Sequence, residues 1–337
     1  MSDSTYRSYR EQAAHYFTRS HTGRPDAPIE SPAAWLGSEM RPIESDWLVQ
    51  LEKEDLDELD RALSRVGQDR IPLESINRVN LPLPSLTEKI RSWQRELMHG
   101  RGFVVVSGLP VDEWGEARSA MAFWGLGHHL GLPGAQNPQR ELLGHVKDYG
   151  EQKASPNVRL YRTPSNINFH CDAADVVGLL CLQTARRGGQ SRIASSVAIW
   201  NTLFEEDSVL AAALFEPFAL DRRGEHPPDQ PGHLDLQPCC YGDDGVLRTF
   251  YHSEYFRSAE RLEDVGALPE IHQRLLDRYD DLAASPETHL DMWLEPGDMQ
   301  FISNHTIVHS RTGYEDHPDP ARKRHLLRLW LSLEAMA

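Results

Sequence analysis

Several stretches of the chain place apolar residues at helical spacing. Leu56, Leu59, Leu63 and Val66 predict an amphipathic helix over 54–66, acidic at its start and basic near its end, as the helix dipole favours. Leu86, Ile90, Trp93 and Leu97 form a second stripe, opened by the capping-box pattern Ser85…Glu88 and closed at Gly100. Residues 115–130, 197–206 and 270–283 also read as helix. Between these run short β-rich segments: "GFVVVSGLP" (102–110), "VVGLLCLQ" (176–183, closed by Gly188–Gly189), "SRIASS" (191–196), "LRTFYHSEYF" (247–256), "THLDMWL", "MQFIS" and "RHLLRLWLSL". Short strands separated by turns and long insertions predict a mainly β fold, a sandwich or barrel carrying helices. A doubly wound sheet would need regular strand–helix alternation and a phosphate loop, and neither GxGxxG nor GxxxxGK[ST] occurs. Residues 1–45, punctuated by Pro25, Pro28, Pro32 and Pro42, read as an irregular wrap over the surface.

Composition narrows the function classes. Lys plus Arg number 35 against 51 Asp plus Glu, a net charge of −16 over 337 residues. That balance argues against nucleic-acid partners and against an anionic membrane face. No apolar run approaches a membrane span, and "MSDSTYRSYREQAAHYF" lacks the apolar stretch of a signal peptide. The four cysteines (Cys171, Cys181, Cys239, Cys240) show no CxxC spacing and make no disulfide framework. The expectation is a soluble cytoplasmic protein acting on a small molecule, with homo-oligomerisation left open.

The chemistry is carried by "NINFHCDAADVVGLL" (166–180). In an extended chain His170 and Asp172 project from one face and Cys171 from the other. Downstream, "NHTIVHSR" offers His305 and His309, either of which could join them. Two histidines and a carboxylate that leave one side of a metal open make the facial triad of non-haem Fe(II) oxygenases. In "KRHLLRLWLSL", Leu327, Leu329, Leu331 and Leu333 share one face and Arg324, Arg328 and Ser332 the other. Arginines on the inner face of an apolar strand require anionic partners, and a guanidinium suits a carboxylate.

Taken in order, these features resemble the Fe(II)/2-oxoglutarate-dependent dioxygenases of the taurine dioxygenase (TauD/TfdA) type. The matching elements are the HxD pair (His170, Asp172), "GGQS" (188–191), the "PGD" turn (296–298), Asn304 five residues before His309, and Arg324 and Arg328. Ser stands at 191 where Thr is commoner, and "YEDHPDPA" lengthens the segment between His309 and Arg324. The resemblance runs from about residue 102 to 334. It implies a double-stranded β-helix (jelly roll) over 101–337, with 1–100 a helical extension packed on that core as one structural unit, and a lid or subunit contact as its role. It makes His170, Asp172 and His309 the Fe(II) ligands and gives Arg324 and Ser191 to the cosubstrate 2-oxoglutarate. Arg328 would meet an anionic group of the substrate. O2 would be consumed, with succinate and CO2 released and an unactivated C–H of an anionic or amino-acid-like molecule oxidised. Asn168, Gln136, Asn137, Tyr251 and His305 are the remaining substrate-contact expectations. A zinc hydrolase using the same three ligands and a metal-free jelly-roll binding module are the competing readings.

Overall fold

Alternation along the strands sets the layering. In the computed structural model, which describes residues 5–18, 23–151, 159–226 and 228–333, the site is positioned by six helices and nine strands. The helices are α1 (Tyr9–Phe17), α2 (Lys53–Gln68), α3 (Thr87–His99), α4 (Val111–Leu130), α5 (Ser196–Glu206) and α6 (Glu270–Ala284). The strands are β1 (Phe103–Ser107), β2 (Leu143–Val146), β3 (Ile167–His170), β4 (Val176–Gln183), β5 (Ser191–Ser195), β6 (His289–Met292), β7 (Met299–Ser303), β8 (Ile307–Arg311) and β9 (His325–Ser332). A seven-stranded sheet runs Leu48–Gln50, β1, β7, β4, β9, Leu132–Gly134, with β2 also paired to β9. A four-stranded antiparallel sheet runs β6, β5, β8, β3.

Phe103, Val105, Val177, Ile302 and Trp330 of the larger sheet meet Ile193, Leu290, Met292 and Ile307 of the smaller one in a shared core. The alternate residues point outward: Val104, Val106, Phe301, Leu327, Leu329 and Leu331 pack beneath α2, α3 and α4. Ala194 and Val308 pack beneath α5 and α6. The order of layers is helices, large sheet, small sheet, helices. The comparatively open space between the sheets, toward one end, is where the polar residues gather. No described helix is long and apolar enough to cross a membrane.

Most predicted elements appear where the periodicity put them; four departures have local causes. The Ser85 capping box does not form, because Glu58 of α2 accepts from both Ser85 N and Leu86 N at 3.0 Å and so caps α3 from outside. Residues 247–256 are strand only over Leu247–Thr249 and turn into a short helix at Ser253–Ser258. The polar segment 135–150 contains β2, whose backbone completes the edge of β9.

The proline-rich beginning also holds a real element, α1, with a capping box between Ser8 and Glu11. Three residues bind α1 to the core. Gln12 accepts from Ser332 Oγ at 2.7 Å, Tyr16 stacks on the His305 ring, and His15 Nε2 lies 2.7 Å from Asp175 Oδ2. Asp175 also meets His305 Nε2 at 2.8 Å and Leu333 N at 2.8 Å.

Burial alone would push the Asp175 carboxyl up, but the hydrogen bonds from His15 and His305 outweigh it and hold it well below the usual carboxylate range. A depressed folded pKa contributes stability above the unfolded value of about 4 and loses it as pH falls. Asp175→Asn is therefore expected to cost about 3–5 kcal/mol at pH 7, with the difference from wild type shrinking below pH about 4. Urea unfolding across that range checks it; a pH-independent difference would remove the ionic account of this joint.

Candidate active site

Strand register brings the three candidate ligands together. β8 pairs with β3 so that His309 stands directly opposite His170. Asp172 follows two residues after β3, its backbone N–H donating to the Asn304 side chain at 3.2 Å. One donor atom from each of His170, Asp172 and His309 lies within 4.8 Å of the other two. His170 Nδ1 contacts its own neighbour's carbonyl, Asn168 O, at 2.9 Å. A carbonyl only accepts, so that contact makes Nδ1–H the donor and leaves Nε2 as the nitrogen for a metal. His309 Nε2 lies 3.7 Å from Asp172 Oδ2. Burial, followed by the neighbouring His170, pushes His309 down to about 3, so it is a neutral donor at pH 7. Asp172 is held at about 2: burial raises it, and Arg328, then His309 and His170, more than reverse this. The same carboxylate oxygen accepts from Trp330 Nε1 at 3.2 Å and Arg328 Nη1 at 3.4 Å. Two imidazoles and one ionised carboxylate, with His170 and Asp172 held by further hydrogen bonds, fit a divalent transition metal.

Beside this cluster lies a concentration of buried positive charge. Arg311 is two residues after His309 on the same face of β8 and sits opposite Ser191 of β5. Its Nη2 donates to the carbonyls of Thr163 and Ser165. Arg311 and Arg324 flank the Tyr314 ring, at 4.8 and 5.1 Å from its centroid. Arg324 Nη2 donates to Gly189 O at 3.4 Å. A Cβ at Gly189, where φ is +78°, would stand 2.9 Å from Arg324 Nε; the second glycine of "GGQS" thus makes room for this guanidinium. Arg311 Nε and Nη1, Arg324 Nη1 and Arg328 Nη2 meet no hydrogen-bond partner among the described residues. Burial, then Arg324, pushes Arg311 down to about 10, and burial also lowers Arg324. Ser191 Oγ donates to Gln300 Oε1 at 2.9 Å, and the residue lines the same cavity.

His170, Asp172, His309, Trp330, Ser191 and the three arginines line one cavity of about 850 Å³. Its outer wall comes from Tyr9 and Phe17 of α1, Arg159, Glu225, Tyr255 and His252. Glu225 holds this wall together: Arg159 Nη2 reaches both its oxygens at 2.6 Å, and Tyr9 OH donates at 2.9 Å.

The structure brings His170, Asp172, His309, Ser191, Arg324 and Arg328 to this cavity, and seats the other expected contact residues elsewhere. Tyr251 is fully buried, stacked on Tyr279 at 3.8 Å, with its hydroxyl donating to Asp280. The strand stops just before it, so His252 takes the wall position. His305 lies in the turn before β8 and serves Asp175 in the joint to α1. Gln136 is buried behind Arg328, accepting from its Nε at 2.7 Å and donating to its carbonyl at 2.8 Å, a support rather than a contact surface. Asn137 folds its loop by bonding to Glu141. Asn168 turns its side chain to Glu254 and contributes its carbonyl to His170.

Trp330, Arg311 and α1 were not singled out by sequence reasoning. The first two carried a usable signal, each standing two residues along a strand from a chosen residue and hence on its face. The third carried none, because nothing local tells that α1 returns to the cavity.

The chain matches the profile of the "Taurine catabolism dioxygenase TauD, TfdA family" over residues 51–330 and belongs to that family. FR-33289 synthase of Streptomyces rubellomurinus is 30% identical over 310 residues, 91% of each chain. Uridine-5'-phosphate dioxygenase of an Amycolatopsis species is 30% identical over 209 residues, 57% of this chain and 72% of that one. Among solved structures, asparagine oxygenase with Fe(II), 2S,3S-3-hydroxyasparagine and succinate superposes with a TM-score of 0.68 at 18% identity, covering 85% of this chain and 93% of that one. The non-heme iron oxygenase OrfP with Fe and alpha-ketoglutaric acid gives 0.60 at 14% identity over the same shares. The fold is the β-rich, helix-covered arrangement of these oxygenases, and the chain is a dioxygenase dependent on Fe(II), 2-oxoglutarate and O2.

Removing a partner of the ligating carboxylate tests the geometry. Trp330→Phe keeps an aromatic ring but deletes the donor to Asp172, and is expected to weaken divalent-metal binding about 10–100-fold. Co(II) titration of the metal-free protein reads this directly; unchanged affinity would show that Trp330 packs without orienting Asp172.

Proposed function

We propose that this dioxygenase oxidises an unactivated C–H bond of a small amino-acid-like or anionic molecule, with hydroxylation as the simplest outcome and succinate and CO2 released from 2-oxoglutarate. His170, Asp172 and His309 would hold Fe(II). Bound there, Fe(II) would activate O2 for the oxidation of 2-oxoglutarate and substrate. The chain's own residues bind, orient and neutralise.

Arg324 and Arg311, with the Ser191 hydroxyl on the strand paired with that of Arg311, receive the far carboxylate of 2-oxoglutarate. A dicarboxylate in this position satisfies N–H groups that otherwise stay buried and unpartnered, a costly arrangement for a cation. Arg328, braced by Gln136 and stacked over Tyr161 at 4.4 Å, serves both Asp172 and an anionic group of the substrate. The substrate occupies the outer part of the cavity against Tyr255, His252 and the Tyr9–Glu225–Arg159 wall. Charges of both signs on that wall suit a zwitterion or an anion with further polar groups. Asparagine oxygenase and the 3-hydroxyarginine-binding OrfP among the structural neighbours, and a nucleotide dioxygenase among the relatives, agree with this substrate class.

The two facing sheets form a double-stranded β-helix in this reading. Residues 1–100 and 101–337 make one unit, since α2 and α3 complete the core and α1 completes the cavity.

The observation that carries the proposal is the convergence of three incompletely partnered guanidiniums on the same cavity as the His2Asp cluster. A hydrolase built on the same ligands would leave Arg311 and Arg324 without an anion.

His170→Ala is expected to abolish substrate-dependent succinate release while the circular-dichroism spectrum stays unchanged; substantial release by that variant would sink the ligand assignment. Arg311→Gln is expected to raise the KM for 2-oxoglutarate about tenfold or more, the range for a hydrogen bond to a charged group. At saturating cosubstrate its kcat should stay close to wild type, and an unaltered KM would remove Arg311 from the cosubstrate pocket.

A further inference from the structure

A second convergence of ligand-type side chains stands on the opposite side of the large sheet, outside the cavity. Glu116 comes from α4, one residue after the kink at Gly115, where φ is +67°. His145 comes from β2 and His325 opens β9. These strands pair antiparallel with Leu327 opposite His145, so His145 and His325 share the outer face one diagonal step apart.

The approach is close. His145 Nδ1 is 2.8 Å from His325 Nε2. Glu116 oxygens stand 3.8 Å from His145 Nδ1 and 3.7 Å from His325 Nδ1. One donor atom from each of the three residues lies within 4.8 Å of the other two. Three separate elements thus deliver two imidazoles and a carboxylate to one point.

We propose that Glu116, His145 and His325 form a second metal site, for a zinc-type divalent transition ion, distinct from the catalytic cluster. Two imidazoles and one carboxylate suit zinc, with water as the fourth ligand, whereas magnesium and calcium favour all-oxygen surroundings. The ion replaces the imidazole–imidazole hydrogen bond and clips α4 to β2 and β9. Adjacent strand residues face opposite ways, so the clip fixes the outer side of the strand end whose inner side presents Arg324. This site does not depend on the oxygenase reading.

Equilibrium dialysis of the full chain, stripped of metal and then exposed to micromolar Zn(II), tests it. Wild type is expected to retain two zinc ions per chain, one at the catalytic cluster and one here. The double variant Glu116→Gln/His145→Gln is expected to retain one, with its metal-free unfolding midpoint matching wild type. Zinc is also expected to raise the unfolding midpoint of wild type more than that of the double variant. A double variant that retains as many zinc ions per chain as wild type overturns the proposal.

Discussion

The pairing of β8 with its two neighbours is the constraint on which the site depends. On one side the register sets His309 opposite His170; on the other it sets Arg311 opposite Ser191. A slip of one residue would turn His309 and Arg311 toward the helices and bring Val308 and Ser310 to the cavity. The slip is opposed by packing on both faces: Ile307 is buried between the sheets, and Val308 beneath the helices. The apolar residues of this strand therefore secure the positions of its polar ones. The proposed metal centre and the proposed cosubstrate pocket are two readouts of one hydrogen-bonding register.

Charge is distributed against the average of the molecule. The chain carries −16 overall, yet Arg311, Arg324 and Arg328 are gathered in its interior. Their shared occupancy of one cavity is tolerable because each has some support: carbonyls for Arg311, Gly189 O and the Tyr314 face for Arg324, and Gln136, Tyr161 and Asp172 for Arg328. The support is incomplete in each case, and the unfilled valence has a direction, inward. An interior of this kind selects an anion by leaving a gap in its own hydrogen bonding rather than by surface attraction.

Much of this was legible in the residue pattern because the site lies on strands, where a period of two makes facing predictable. His170 with Asp172, His309, and Arg324 with Arg328 follow from that period together with the order of motifs. Tyr251 and His305 were placed at the pocket because the extended reading was carried past the point where the chain turns, and a change of backbone direction leaves little trace in apolar spacing. Gln136 shows a different limit: polarity in a Gly/Pro-punctuated segment does not tell whether an amide faces a ligand or braces an arginine. The role of α1 was invisible for a topological reason, since its partners Asp175, Glu225 and Ser332 lie between about 160 and 320 residues away.

The placement of α1 separates two kinds of specification. The residues proposed to hold iron and 2-oxoglutarate come from the sheets and their ends, and they are tied to strand register and to one another. Tyr9, Arg10, Ala13 and Phe17 touch the cavity from a single short helix with no ligating duty. Selection can therefore reshape the volume offered to a guest by changing a few codons of this one helix, while the reaction machinery stays the same.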